Sequence, residues 1–99
     1  MLDEENQKTS PEEYPTPYQY ILKSPVEDAQ GILVTGINLQ EPTIAEIGSL
    51  SDQTKKFGSM KAFITMLANH TKLEVATINK MGARDLNGIQ KYYDYFLGD

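Results

Sequence analysis

The stretch GINLQEPTIAEIGSL, residues 36–50, constrains this chain more than any other part of it. Before Glu41 the apolar residues alternate, as Ile37 and Leu39 do, which is strand spacing. After Thr43 they recur at Ile44, Ile47 and Leu50, which is helical spacing. Pro42 has no amide to donate to a ladder and holds Glu41 in extended geometry, so the strand ends there. Thr43 is placed to act as an N-cap, and Glu46, three residues on, can reach back to the Thr43 amide, the reciprocal pair of a capping box. Within three residues a β-element must become an α-element, and a helix must start at a fixed angle to a strand. Gly48 weakens that helix by about 0.5–1 kcal/mol relative to alanine, so a short one is expected.

The neighbouring segments fit the same corner. Tyr18–Leu22 (YQYIL) and Gly31–Leu39 (GILVTGINL) are rich in aromatic and β-branched residues and read as strands. Lys23–Gln30, with Pro25 and a polar run before Gly31, reads as the turn between them, too long for a tight two-residue hairpin loop. Gly36 marks a bulge or the end of the second strand. Downstream, Asp52–Phe57 is polar and ends at Gly58. Ser59 is a second N-cap candidate, and Met60, Phe63, Ile64 and Leu67 follow at amphipathic spacing up to about His70. Leu73, Val75, Ile78 and Met81 fit a two-turn helix closed near Gly82. Asp85 is expected to cap a last helix with an inner face of Leu86, Ile89, Tyr93 and Phe96 and a stop at Gly98. The sequence therefore predicts an α+β domain, an N-terminal antiparallel β-hairpin packed on three to four short α-helices. Residues 1–17 are polar and acidic with three prolines, and are expected to form a disordered arm. Residues 18–99 then form a single small domain.

Charge narrows the function. The chain carries a net charge of −5. Residues 1–17 hold five acids against one lysine, and residues 18–99 hold nine acids against eight bases. A nearly neutral body lacks the positive field that phosphate backbones require, so nucleic acid is not an expected partner. With no cysteine, disulfides and thiolate chemistry are excluded. No apolar run approaches the ~20 residues of a membrane span, and the acidic start, MLDEENQKTS, has no apolar stretch of the secretory kind. His70 is the lone histidine, and near a helix C-terminus it reads as a cap or partly exposed side chain, not as a metal ligand. Ser59, His70 and Asp85 lack the context of a hydrolytic triad, and the glycines match no phosphate-binding loop. No catalytic residue, cofactor or metal is expected.

Apolar surface remains. Methionine repacks readily against varied partners. Met60 and Met81 fall on expected core faces, whereas Met66 lies on the flank of its stripe. Tyr92 sits at the edge of the last helix's apolar face and Tyr95 opposite it. Met66, Tyr92 and Tyr95 are therefore the expected partner-binding residues. Glu41, Pro42, Thr43, Glu46 and Asp85 are the expected structural corner and caps.

The order of these features resembles a known family. A strand closes on Leu39, Glu41, Pro42 and Thr43. Leu67, Thr71 and Leu73 follow in an L-x-x-x-T-x-L stretch, then Met81, Asp85 and Leu86, then Phe96 and Leu97. Over about residues 18–98 this is similar to the phage tail assembly chaperone family of Mu-like contractile-tailed phages and prophages. Met81-Gly82 stands where the family usually has a Leu-Pro-like step. The resemblance implies a non-enzymatic assembly factor. It would bind the tape measure protein in the host bacterial cytoplasm while the tail is built, be absent from the mature virion, and in some members exist in a frameshifted longer form. Contact with other tail proteins and self-association are compatible with it. The rival readings are a small tail or baseplate accessory of the virion, a host-directed inhibitor, and a small DNA-binding regulator built on residues 73–96.

Overall fold

A computed structural model describes residues 15–97. The protein is α+β. Strands β1 (Tyr18–Glu27) and β2 (Leu33–Leu39) form an antiparallel hairpin. Helices α1 (Ile44–Phe57), α2 (Ser59–Thr71), α3 (Val75–Ile78) and α4 (Ala83–Leu97) follow it. Most of the expected arm, residues 1–14, lies outside the described residues, as does the expected stop at Gly98. The last residues of that arm lie against the domain: the Tyr92 hydroxyl donates to the Pro15 carbonyl at 2.8 Å, and the Glu41 amide donates to Thr16 Oγ1 at 2.9 Å.

The hairpin differs from its expected outline. β1 runs on through Lys23–Ser24–Pro25, the segment read as a turn, to Glu27. The register explains how. Ile21 pairs with Gly36 and Val26 with Val34, so residues 22–25 of β1 stand opposite the single residue Thr35. This is a wide bulge. Its amides cannot reach the ladder, and Pro25 has none to satisfy. The true turn is residues 28–32, where Asp28 Oδ1 accepts from the amides of Gln30 and Ile32, both at 2.9 Å. That is the Asx geometry that favours aspartate at turn starts.

Helix α1 is longer than expected, taking in the polar run up to Phe57. It ends where Gly58 adopts φ 93°, a backbone conformation that a side chain would strain. That glycine closes α1 and opens α2. Helix α3 is a single turn, shorter than the two turns expected, because the chain tightens at once into Lys80 N–H···O Thr77 and Met81 N–H···O Ile78 bonds.

The core lies between the sheet's inner face and α2, α3 and α4. Leu22, Ile37 and Leu39 come from the hairpin, Phe63, Met66 and Leu67 from α2, Ile78 from α3, and Ile89, Tyr92 and Tyr93 from α4. Helix α1 contributes no buried residue. Ile44, expected to share one face of this helix with Ile47 and Leu50, is 89% exposed, and Ile47 is also exposed. Helical spacing identified an apolar face on α1, but its inward side is set by Glu46 and Leu50, which rotates Ile44 into solvent. Helix α4 comes close to β1 because position 88 is glycine: a Cβ there would stand 2.8 Å from the Tyr20 ring.

Candidate functional site

Two polar constructions position the surfaces of this domain. The first is the corner. Thr43 Oγ1 accepts from the Glu46 amide at 3.1 Å, and Glu46 Oε1 accepts from the Thr43 amide at 2.8 Å, completing a capping box. The other Glu46 oxygen, Oε2, lies 2.9 Å from His70 Nε2. The Thr43 amide, opposed in part by burial and helped by the His70 ring, holds the Glu46 carboxyl below the usual carboxylate range. An ionised Glu46 accepts, so Nε2 carries the proton. His70 Nδ1 lies 2.7 Å from the Tyr93 hydroxyl, whose oxygen accepts from the Gln40 amide at 3.4 Å. Burial pushes the Tyr93 phenol well above its ordinary value. His70 is thus buried and bridges α1, α2 and α4; it is neither a cap nor partly exposed. Histidine supplies a ring nitrogen on either side, which suits it to join a carboxylate to a phenol.

The second construction is Asp85. It was expected to cap α4 from outside, but the helix begins two residues earlier, where the Gly82 carbonyl accepts from the Asp85 and Leu86 amides. Asp85 therefore lies in the first turn and is completely buried. Its Oδ1 accepts from the Lys23 amide at 2.8 Å and from the Tyr20 hydroxyl at 3.1 Å, and its Oδ2 accepts from the Ser24 amide at 3.2 Å. These are the amides that the β1 bulge leaves outside the ladder. Burial pushes the Asp85 pKa up, but the two amides and the phenol outweigh it, and the carboxyl sits below its ordinary value. Nothing local in the sequence pointed to this contact, because its partners lie 61–65 residues away.

With hairpin and corner fixed, the helices leave an open apolar trough. Its floor is Leu67, Ile78 and Ile89, and its walls are Met60 and Ile64 of α2 with Met81 and Leu86. This central hollow holds about 150 Å³. Two further hollows adjoin it. One shares Ile64 and Asn79 and extends to Val75. The other shares Met60 and extends to Leu50, Phe63 and Leu97. The trough exists because α3 stops after one turn and does not cover α2. Met60 and Val75 are each 44% exposed on its rim.

The expected partner residues fall differently. Met66 is 6% exposed, on the floor of a second, smaller groove between α1 and α2. Tyr92 is 4% exposed, stacked on Tyr18 with ring centroids 5.4 Å apart. Neither side chain is presented at the surface of the described residues. Tyr95 is half-buried, packed edge-on to Phe96. At helical spacing it falls on the side of α4 away from Leu86 and Leu97. Met60 and Met81, expected in the core, stand at the trough. The α2 stripe is rotated from the expected one. Its buried set is Ala62, Phe63, Met66, Leu67 and His70, because the Glu46–His70–Tyr93 chain draws a polar residue inside. A small residue and a histidine did not count as inward-facing in the sequence.

No helix of the described residues is long and apolar enough to cross a membrane. Among the described residues no three His, Cys, Asp or Glu side chains gather where a metal ion could be held. What the fold offers other molecules is adaptable apolar surface on a braced scaffold. The chain belongs to the family described as "Phage tail assembly chaperone proteins, E, or 41 or 14", whose profile matches residues 19–98. It is thus a chaperone-family protein of phage tail assembly that interacts with tail proteins. No curated protein and no solved structure matches the chain.

Proposed function

We propose that this chaperone binds the tape measure protein and keeps its long apolar helical segments from associating with one another while the tail is assembled. The observation that supports the reading is the trough, with Met60 and Met81 on its walls and Val75 on its rim, in a member of a tail-assembly chaperone family. An apolar helix laid in such a groove gives up water-exposed surface at about 25 cal/mol per Å². Methionine walls adapt to the varied side chains of a repetitive partner. The protein acts by binding alone, without catalysis, in the host bacterial cytoplasm, and is left out of the finished particle. The acidic residues of the arm, Met1–Pro17, keep the loaded complex soluble. Tyr95, on the opposite side of α4, serves any second contact.

Co-expression tests this. The tape measure protein of the same phage is expected mainly in the pellet alone, and mainly in the soluble fraction, bound to this chain, when the two are made together. Equal solubility in both cases, or recovery of this chain in purified particles, would contradict the reading.

A further inference from the structure

The two edges of the hairpin are built differently. The β1 sequence carries Lys23, Pro25 and Glu27 and the wide bulge, the features by which proteins stop another strand from pairing. The β2 sequence, LVTGINL, has neither charge nor proline over its seven residues. Its pairing with β1 uses one side of the strand only. Among the described residues no group outside β1 hydrogen-bonds its backbone between residues 33 and 38; the bonds at its end begin at Gln40. Leu33, Thr35 and Asn38 are exposed. The three atoms nearest to where a Cβ would stand at Gly36 all belong to β1.

We propose that β2 pairs antiparallel with the β2 strand of a second copy of this chain, about a two-fold axis at Gly36. Charge selects the occupant. A strand without charged side chains meets its own copy with no like charges opposed. The axis sets Leu33 of one copy opposite Leu39 of the other, Val34 opposite Asn38, and Thr35 opposite Ile37. Ile37 and Leu39 are already buried in the core, so the backbone ladder and the exposed Leu33, Thr35 and Asn38 carry the pairing, with no charged pair opposed. The product is a four-stranded sheet ordered β1-β2-β2-β1. Its outer edges are the two protected β1 strands, so assembly closes at two copies and does not grow into a fibre. A two-stranded sheet is marginal by itself, and the dimer doubles it. Pairing along one seven-residue edge buries less than the ~1,200 Å² of a standard interface. The dimer is therefore weak, with a dissociation constant on the order of 100 µM. This inference does not depend on what the trough binds.

Sedimentation of the full chain from about 10 µM to about 1 mM is expected to show a monomer–dimer equilibrium. Thr35→Lys places two lysines at diagonal positions about 7–8 Å apart across the axis and is expected to raise the dissociation constant by about tenfold. In a mixture of isotope-labelled and unlabelled wild-type chain, cross-copy nuclear Overhauser effects are expected between Leu33 and Leu39, which tests the pairing even if the variant fails to fold. A chain that stays monomeric throughout, a dimer unaffected by a folded Thr35→Lys, cross-copy contacts elsewhere, or assembly beyond two copies would each overturn the proposal.

Discussion

Replacing Asp85 with alanine is expected to lower the unfolding free energy by about 3–5 kcal/mol. The carboxylate is fully buried and is the acceptor for two backbone amides and a phenol. Its removal leaves the part-buried amides of Lys23 and Ser24 without their acceptor, and each unsatisfied group costs about 1–3 kcal/mol. A domain of this size has about 5–10 kcal/mol in all, so a large share of the stability goes with one side chain. Tyr20→Phe removes only the phenol and is expected to lose about 1 kcal/mol. Asp85→Asn falls between, because its amide group turns a donor toward one of the bulge amides. Urea unfolding ranks the three variants. A loss under about 1 kcal/mol for alanine would mean that the bulge is held by something else.

The acid response follows from the same contacts. The folded-state pKa of Asp85 lies below its ordinary value of 3.8. The group then stabilises the fold fully above that ordinary value, and the contribution is lost as pH falls through the lower folded-state value. Glu46, also lowered, acts with the same sign. The stability gap between wild type and Asp85→Asn is therefore expected to be constant at neutral pH and to shrink below about pH 4.

The double substitution Met60→Glu with Val75→Glu is expected to weaken binding of an apolar helical segment of the tape measure protein by about 100-fold. Both side chains stand on the rim of the trough and are 44% exposed. The fold is therefore expected to lose no more than about 1 kcal/mol. In the complex, however, each carboxylate would be covered by apolar partner surface, and an unpaired buried charge is strongly disfavoured. Ile44→Glu is the control: at 89% exposure on α1 it is the more solvent-exposed apolar residue, yet it lies outside the trough and is expected to leave affinity unchanged. Titration calorimetry with a soluble tape-measure fragment separates the two. Equal losses in both variants would point to diffuse hydrophobic sticking.

The parts of this fold that were legible in the sequence are those decided by near neighbours. The capping box at Thr43 and Glu46 depends on a three-residue spacing, and Pro42 ends a strand wherever it stands. The hairpin and the helical layer follow from apolar periodicity. What was hidden depends on distant partners. Lys23–Ser24–Pro25 has the chemistry of a turn and became a bulge within β1 because Asp85, far along the chain, accepts the amides that the bulge frees. The expected positions of Met60, on the core face, and Met66, on the flank, are exchanged because His70 is drawn inward between Glu46 and Tyr93, and this rotates α2. Periodicity shows that a helix has an apolar face, but it does not show whether another element is built against it. For α1 none covers Ile44, and over Met60 the one-turn α3 stops short.

Methyl spectra of chain labelled at the methionine methyl groups test the central claim most directly. On addition of an apolar helical fragment of the tape measure protein, the Met60 and Met81 signals are expected to shift or broaden, while Met66, in the separate groove between α1 and α2, stays in place. Unmoved Met60 and Met81 signals in the presence of a bound fragment, or a response confined to Met66, would contradict the assignment of the trough as the client-binding surface.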